Sequence, residues 1–212
     1  MIGIVDLGCG NIASIANMYD RLGHKVVVGA APDTLVGADR LILPGVGSFD
    51  RAARALATSS IRDYLNERVL NDGVLLLGIC LGMQLLGRSS EEGDLPGLGF
   101  LPAEARRVRV PEESNLRIPH MGWNTLELRR TSLLFDGSAA RYFFVHSYAM
   151  VCDDRSHVLA TTNHGTEIVA AVQHRNILGV QFHPEKSHRF GMELLNRFAT
   201  ADAEALQDSP TC

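Results

Sequence analysis

The chain reads as an α/β protein with a mostly parallel central sheet and an antiparallel extension. Two patterns and one bound predict this. In the first half, short apolar runs at residues 2–5, 25–28, 40–43 and 74–77 alternate with helical patterns at 11–22 and 49–70, the signature of βαβ units. In the second half, strand-like runs at 104–110, 122–128, 142–145, 158–162, 168–173 and 178–182 follow one another with little helix between them. Such runs add antiparallel or mixed pairing to the sheet. The bound is length: 212 residues suffice for one large core, and no repeat, low-complexity stretch or linker divides them.

The elements follow in order. Met1-Ile2-Gly3-Ile4-Val5-Asp6 lacks a basic leader and reads as a first strand, not a signal peptide. The helical pattern at 49–70 is interrupted at Ser59-Ser60. Alternation across 105–110 makes Arg106-Arg107-Val108-Arg109 a strand with a solvated basic face. Phe190, Leu194, Leu195 and Phe198 recur at helical spacing and predict a closing helix. Residues 1–200 are expected to form one domain, and 201–212 a frayed tail.

Composition narrows the function. A net charge of -4 argues against a nucleic-acid binder held by phosphate neutralisation. No run approaches the roughly 20 apolar residues that span a bilayer. Cys9, Cys80, Cys152 and Cys212 show no paired spacing, which with no export signal implies reduced thiols in a cytoplasm. No histidine or cysteine spacing suggests a metal, and no cofactor is expected. His24, His157, His164, His174 and His188 read as surface or loop residues.

Three segments carry chemistry. In Gly78-Ile79-Cys80-Leu81-Gly82-Met83-Gln84, a cysteine stands between glycines where an apolar strand gives way to a helix. This is the thiol counterpart of a Gly-x-Ser-x-Gly elbow. A helix N-terminus there would favour thiolate, and the Leu81 N–H would face an oxyanion. Alone, the motif fits a buried structural cysteine equally well. His183-Pro184-Glu185 ends the last apolar run and supplies a base with a carboxylate to orient it. If the extended backbone continues, residues 183 and 185 project to one side. Leu43-Pro44-Gly45-Val46-Gly47-Ser48-Phe49 presents backbone N–H groups before a helix. No Gly-Lys-Ser/Thr follows it, so an oxyanion role fits better than a phosphate role.

Together these segments resemble the class I, triad-type glutamine amidotransferases. More narrowly, residues 8–11, 43–47, 78–86, Pro119-His120-Met121-Gly122-Trp123-Asn124, 145–148 and 179–187 resemble the glutaminase-subunit family of imidazole glycerol phosphate synthases. The resemblance implies a three-layer fold with helices on both sheet faces. It implies that Cys80 attacks glutamine, His183 shuttles the proton and Glu185 orients His183. Leu81 with Gly45, Val46 and Gly47 would form the oxyanion hole, while Gln84, Ser147 and Tyr148 would hold substrate. Asn11, Pro119, His120, Met121, Gly122, Trp123, Asn124 and Lys186 would face a cyclase (β/α)8-barrel subunit that receives the ammonia. In that family the barrel then makes imidazole glycerol phosphate and an aminoimidazole carboxamide ribotide.

Physical reasons add to the implication. Ammonia released into water would protonate and escape, so release at a sealed interface is expected. Trp123 suits an interface anchor, with Lys186 placed to lie over its ring. The family reads Tyr-Phe-Val-His-Ser-Tyr where this chain has Phe143-Phe144-Val145-His146-Ser147-Tyr148. Tyr142 stands one place early and so faces the other way. The alternatives are a paralogous glutaminase feeding a different synthase, a stand-alone cysteine hydrolase, and a non-catalytic subunit keeping the fold. Retention of all three triad residues disfavours the last.

Overall fold

The structure is a computed structural model describing residues 1–137 and 140–202. The tail expected from 201 therefore lies, beyond its first two residues, outside the described part. Among the described residues, strands β1 (Ile2–Val5), β2 (Val26–Gly29), β3 (Arg40–Gly45), β4 (Leu75–Cys80), β12 (Ile177–Val180), β11 (Glu167–His174), β10 (Val158–Asn163) and β7 (Glu127–Leu128) build an eight-stranded sheet. Its order is β2-β1-β3-β4-β12-β11-β10-β7. Pairing is parallel from β2 through β12 and antiparallel from β12 to β7.

The predicted extension is only part of what forms. β5 (Ala103–Arg107) pairs with β9 (Tyr148–Cys152), and β6 (His120–Thr125) with β8 (Arg141–His146), as two separate two-stranded sheets. β9 is not evident in the sequence. Its pattern Tyr148-Ala149-Met150-Val151-Cys152 is weak, and pairing with β5 provides its backbone partners.

Alternation along the parallel strands sorts the core into two layers. Leu41, Leu43 and Leu76 pack with helices α2 (Phe49–Ala57) and α3 (Ile61–Leu65) and with α4 (Leu81–Leu85). Ile2, Ile4, Ile42, Leu75, Leu77 and Ile79 face the other way, against α1 (Ile12–Arg21) and α5 (His188–Thr200). Helices thus cover both faces, as the resemblance implies. The break expected at Ser59-Ser60 separates α2 from α3, and the chain then runs as a π-helix over Asn66–Asn71. No helix among the described residues is long and apolar enough to cross a membrane.

This topology decides where chemistry can occur. The carboxyl ends of β3, β4 and β12 lie side by side, with Gly45 opposite Cys80 and Val180 opposite Ile79. Crevices at the carboxyl edge of a parallel sheet are where open α/β folds bind ligands.

Candidate active site

Cys80 ends β4 and caps α4 with φ 55° and ψ -109°, a left-handed conformation that a non-glycine residue adopts at a strain of about 1–3 kcal/mol. The glycines make this turn possible. A Cβ at Gly82 would sit 1.7 Å from the Leu43 carbonyl oxygen, and one at Gly78 would sit 2.8 Å from Met83 backbone atoms. The elbow therefore presses α4 onto β3 and β4 more closely than any side chain allows.

His183 follows β12 and is nearly fully buried. Its Nδ1 lies 2.7 Å from Glu185 Oε1. Strand alternation does not bring the two together: Pro184–Lys186 forms a 3-10 turn, and that turn curls the carboxylate back under the ring. Proline suits the first position of that turn, where no N–H is needed for an intrahelical bond. Ser187 Oγ pins the turn, donating to the His183 carbonyl at 2.6 Å and accepting from the Phe143 N–H at 3.0 Å.

Nε2 of His183 makes no well-aligned hydrogen bond, but Cys80 stands close enough to act on its protonation. Burial opposes charge on the imidazole. Hydrogen bonding to Cys80 and Glu185, with their negative charges, overcomes burial and raises its pKa to about 9. Burial pushes the Glu185 carboxyl up, but the His183 bond and charge and an Asn11 bond leave it below its usual range.

A cavity of about 400 Å³ opens at this edge, bounded by Cys80, Leu81, Gln84, Ser147, Tyr148 and His183. Val46, Gly47, Asn11, Pro119 and Lys186 complete more of its wall. Most residues singled out from the sequence thus converge here. Gly45 does not line it. It is buried under α4, where a Cβ would meet Gly82 N and Leu81 Cβ at 3.0 Å each. Of the loop, Val46 and Gly47 reach the cavity, with Gly47 at φ +100°. The Val46 N–H is hydrogen-bonded to the Cys9 sulfur, partly offsetting the burial that pushes that thiol's pKa up.

Two expectations need correction, the surface role of His120 and the placing of Lys186 over Trp123. Asn11, implied to face the partner, is half-buried at the cavity, and its Nδ2 donates to Glu185 Oε1 at 2.7 Å. It stands at the N-cap of α1 without capping it. His120 is buried, stacked on Phe144 and bonded to His146, so its ring is not a surface contact. Lys186 lies over the Phe143 ring at 5.8 Å, whereas Trp123 stacks on His188 at 5.5 Å. His164 lies in the loop between β10 and β11, as expected, and stacks on His120 at 4.2 Å. Met121 and Trp123 are exposed as expected, and Gly122 and Asn124 are half-buried. Tyr142 faces inward onto Phe182 at 4.0 Å, opposite to Phe143, as its displacement predicts.

Two residues at the site escape the motifs. Glu92 lines the cavity, and its Oε2 accepts from the Phe49 N–H at 2.8 Å, tying its loop to the start of α2. Gln181 is fully buried and donates to Cys80 Sγ at 3.7 Å. Its signal was readable: a lone amide in an apolar run, two residues before His183 and so on the same strand face.

The family described as Glutamine amidotransferase class-I matches residues 3–201. A subunit named imidazole glycerol phosphate synthase subunit HisH, from Bdellovibrio bacteriovorus, is 49% identical over 94% of this chain and 99% of its own length. The chain belongs to the HisH family of class I glutamine amidotransferases. The Bacillus subtilis HisH is 42% identical over 96% of this chain and 98% of its own. A solved structure of PurLQS from Thermotoga maritima aligns with TM-score 0.71 at 19% identity, covering 93% of this chain and 96% of that one. Another, of a glutamine amidotransferase, aligns at TM-score 0.69 and 23% identity over 92% and 98%. Those two likenesses speak for the fold. They agree with the HisH-type sheet and its helices on both faces.

Proposed function

We propose that this HisH-family chain hydrolyses glutamine to glutamate and ammonia, and passes the ammonia to a cyclase (β/α)8 subunit for imidazole glycerol phosphate synthesis in the histidine pathway. The observation carrying this reading is that Cys80 and His183 border one cavity of suitable size, with Glu185 bonded to the imidazole. Cys80 sulfur attacks the side-chain amide carbon of glutamine, forming a C–S bond. Negative charge builds on the carbonyl oxygen, where the Leu81 N–H, free of any intrahelical acceptor at the first position of α4, meets it. His183 delivers a proton to the leaving nitrogen, and the C–N bond breaks to release ammonia. The imidazole then takes a proton from water, which attacks the glutamyl thioester. Glutamate leaves and the thiol is restored.

Gln84, Ser147 and Tyr148 line the cavity in which glutamine would rest, as do Val46 and Gly47. Met121 and Trp123 expose apolar surface on β6, beside the Pro119 that borders the cavity. They are the anchors we assign to the barrel subunit. We place the reaction in a cytoplasm, where the free thiols of Cys9, Cys80 and Cys152 stay reduced.

The test is reconstitution with a barrel subunit, scored by glutamine-dependent formation of imidazole glycerol phosphate. Cys80→Ser abolishes that product, while ammonium salts supplied directly restore it. Glutamine turnover that persists in Cys80→Ser would remove the reading. Product of a different synthase would move the chain to another acceptor.

A further inference from the structure

We propose that Gln181 is a positioning residue that holds an N–H against the Cys80 sulfur, its direction imposed through Gln84 by the Tyr148 carbonyl at the start of β9. The inference rests on the reading of Cys80 as nucleophile. Gln181 does not border the cavity, so it acts through Cys80 and not on substrate.

The direction of each link follows from what each group can do. The Tyr148 carbonyl can only accept. Gln84 approaches it with Nε2 at 2.9 Å, so the Gln84 amide must point its NH2 inward. The same NH2 reaches Gln181 at 3.1 Å, which obliges Gln181 to present its oxygen there. Only its NH2 is then left for Cys80 Sγ, at 3.7 Å. Amide orientations are ordinarily open to a flip; here a flip would set NH2 against NH2.

The other end of the chain is fixed by the same carbonyl. His146 Nδ1 lies 3.0 Å from the Tyr148 oxygen and must carry the proton. Its Nε2 therefore accepts from His120 Nδ1 at 3.0 Å. His120 Nε2 is left to accept from Asn124 Nδ2 at 3.4 Å. Burial and neighbouring rings hold the pKa of His146 down to about 3 and that of His120 to about 4, so these neutral tautomers persist at pH 7. The chain thus runs from Asn124 through His120, His146, the Tyr148 carbonyl, Gln84 and Gln181 to the nucleophile.

An amide suits this position. It is a donor that does not titrate, so it steadies the sulfur without competing with His183 for the proton. The titratable groups around the sulfur are His183 and, behind it, Glu185; His146, Tyr148, Glu92 and Lys186 border the same cavity.

The experiment follows alkylation of the intact chain by iodoacetamide from pH 6 to 9, resolved by peptide mass spectrometry, beside glutamine kinetics with the barrel subunit. In Gln181→Met, Cys80 alkylation falls about tenfold; kcat falls about tenfold with KM within about twofold. Cys152, whose pKa burial raises to about 11, stays a protonated, slow-reacting thiol over this range and reports that the fold is intact. If methionine exposes Cys152, Gln181→Asn, whose shorter amide cannot span Gln84 and the sulfur together, is read the same way. Alkylation and kcat matching wild type at every pH, with Cys152 protected, would overturn the inference while leaving the nucleophile in place. Activity surviving in Cys80→Ser would instead overturn the reading beneath it.

Discussion

Nδ1 of His183 and Nδ2 of Asn11 converge on one oxygen of Glu185, both at 2.7 Å, in a site where the side chains of His183 and Glu185 are 1% and 2% exposed. Burial at this level makes each partner's loss felt, because the remaining polar group stays dehydrated. Glu185→Gln removes the charge that holds the imidazole protonated, and kcat is expected to fall about 10–100-fold with little change in KM. Asn11→Ala leaves His183 in place but frees the carboxylate; steady-state kinetics should show a loss of roughly 3–10-fold. The triad residues were legible because their spacing and flanking glycines are specific. The Asn11–Glu185 bond was not, since 174 residues separate the partners and Asn11 reads locally as an ordinary helix cap.

At the scale of elements, the elbow depends on α4 lying against β3. Gly82→Ala drives a methyl group into the Leu43 carbonyl, which neither strand nor helix can yield without unpairing. We expect a loss of more than about 3 kcal/mol by urea denaturation; a stable, active Gly82→Ala protein would contradict this packing. The neighbouring loop behaves differently. Its Val46 N–H is held by Cys9, and a peptide between Pro44-Gly45 and Gly47 can reorient. Isolated chain should therefore turn glutamine over slowly and be strongly stimulated once a barrel subunit with an occupied acceptor site docks. Equal turnover in the two states would refute it. Cys9→Ala, lacking the acceptor, should raise the unstimulated rate a few-fold. The sequence exposed the Gly45-Val46-Gly47 loop, but not its partner, because a cysteine in a glycine turn has no pattern to distinguish it.

Across the molecule, titration of the histidines shapes stability. His146 and His120 have native pKa values depressed to about 3 and 4, so below about 6.5 the unfolded chain binds protons that the native chain refuses. Stability therefore falls as pH drops through 6.5. His183 has the opposite sign: its native pKa is raised to about 9, so its contribution is complete below about 6.5 and is lost as pH rises through 9. Denaturation midpoints from pH 5.5 to 9.5 should peak near neutrality. A flat profile would show these rings to be solvated.

The linear chain by itself determined the layered α/β plan, the elbow, the histidine–glutamate pair and the glycine loop, since periodicity and local motifs act over a few residues. It also displaced Tyr142 from the Phe143 face, because strand parity is local. Tertiary structure alone decided that β3, β4 and β12 end side by side, that β5–β9 and β6–β8 stand apart from the main sheet, and that a 3-10 turn closes Glu185 onto His183. It alone led a hydrogen-bonded path from Asn124 to the sulfur of Cys80. Those outcomes depend on which distant backbone and amide groups satisfy one another once water is excluded, and no short stretch of sequence carries that information.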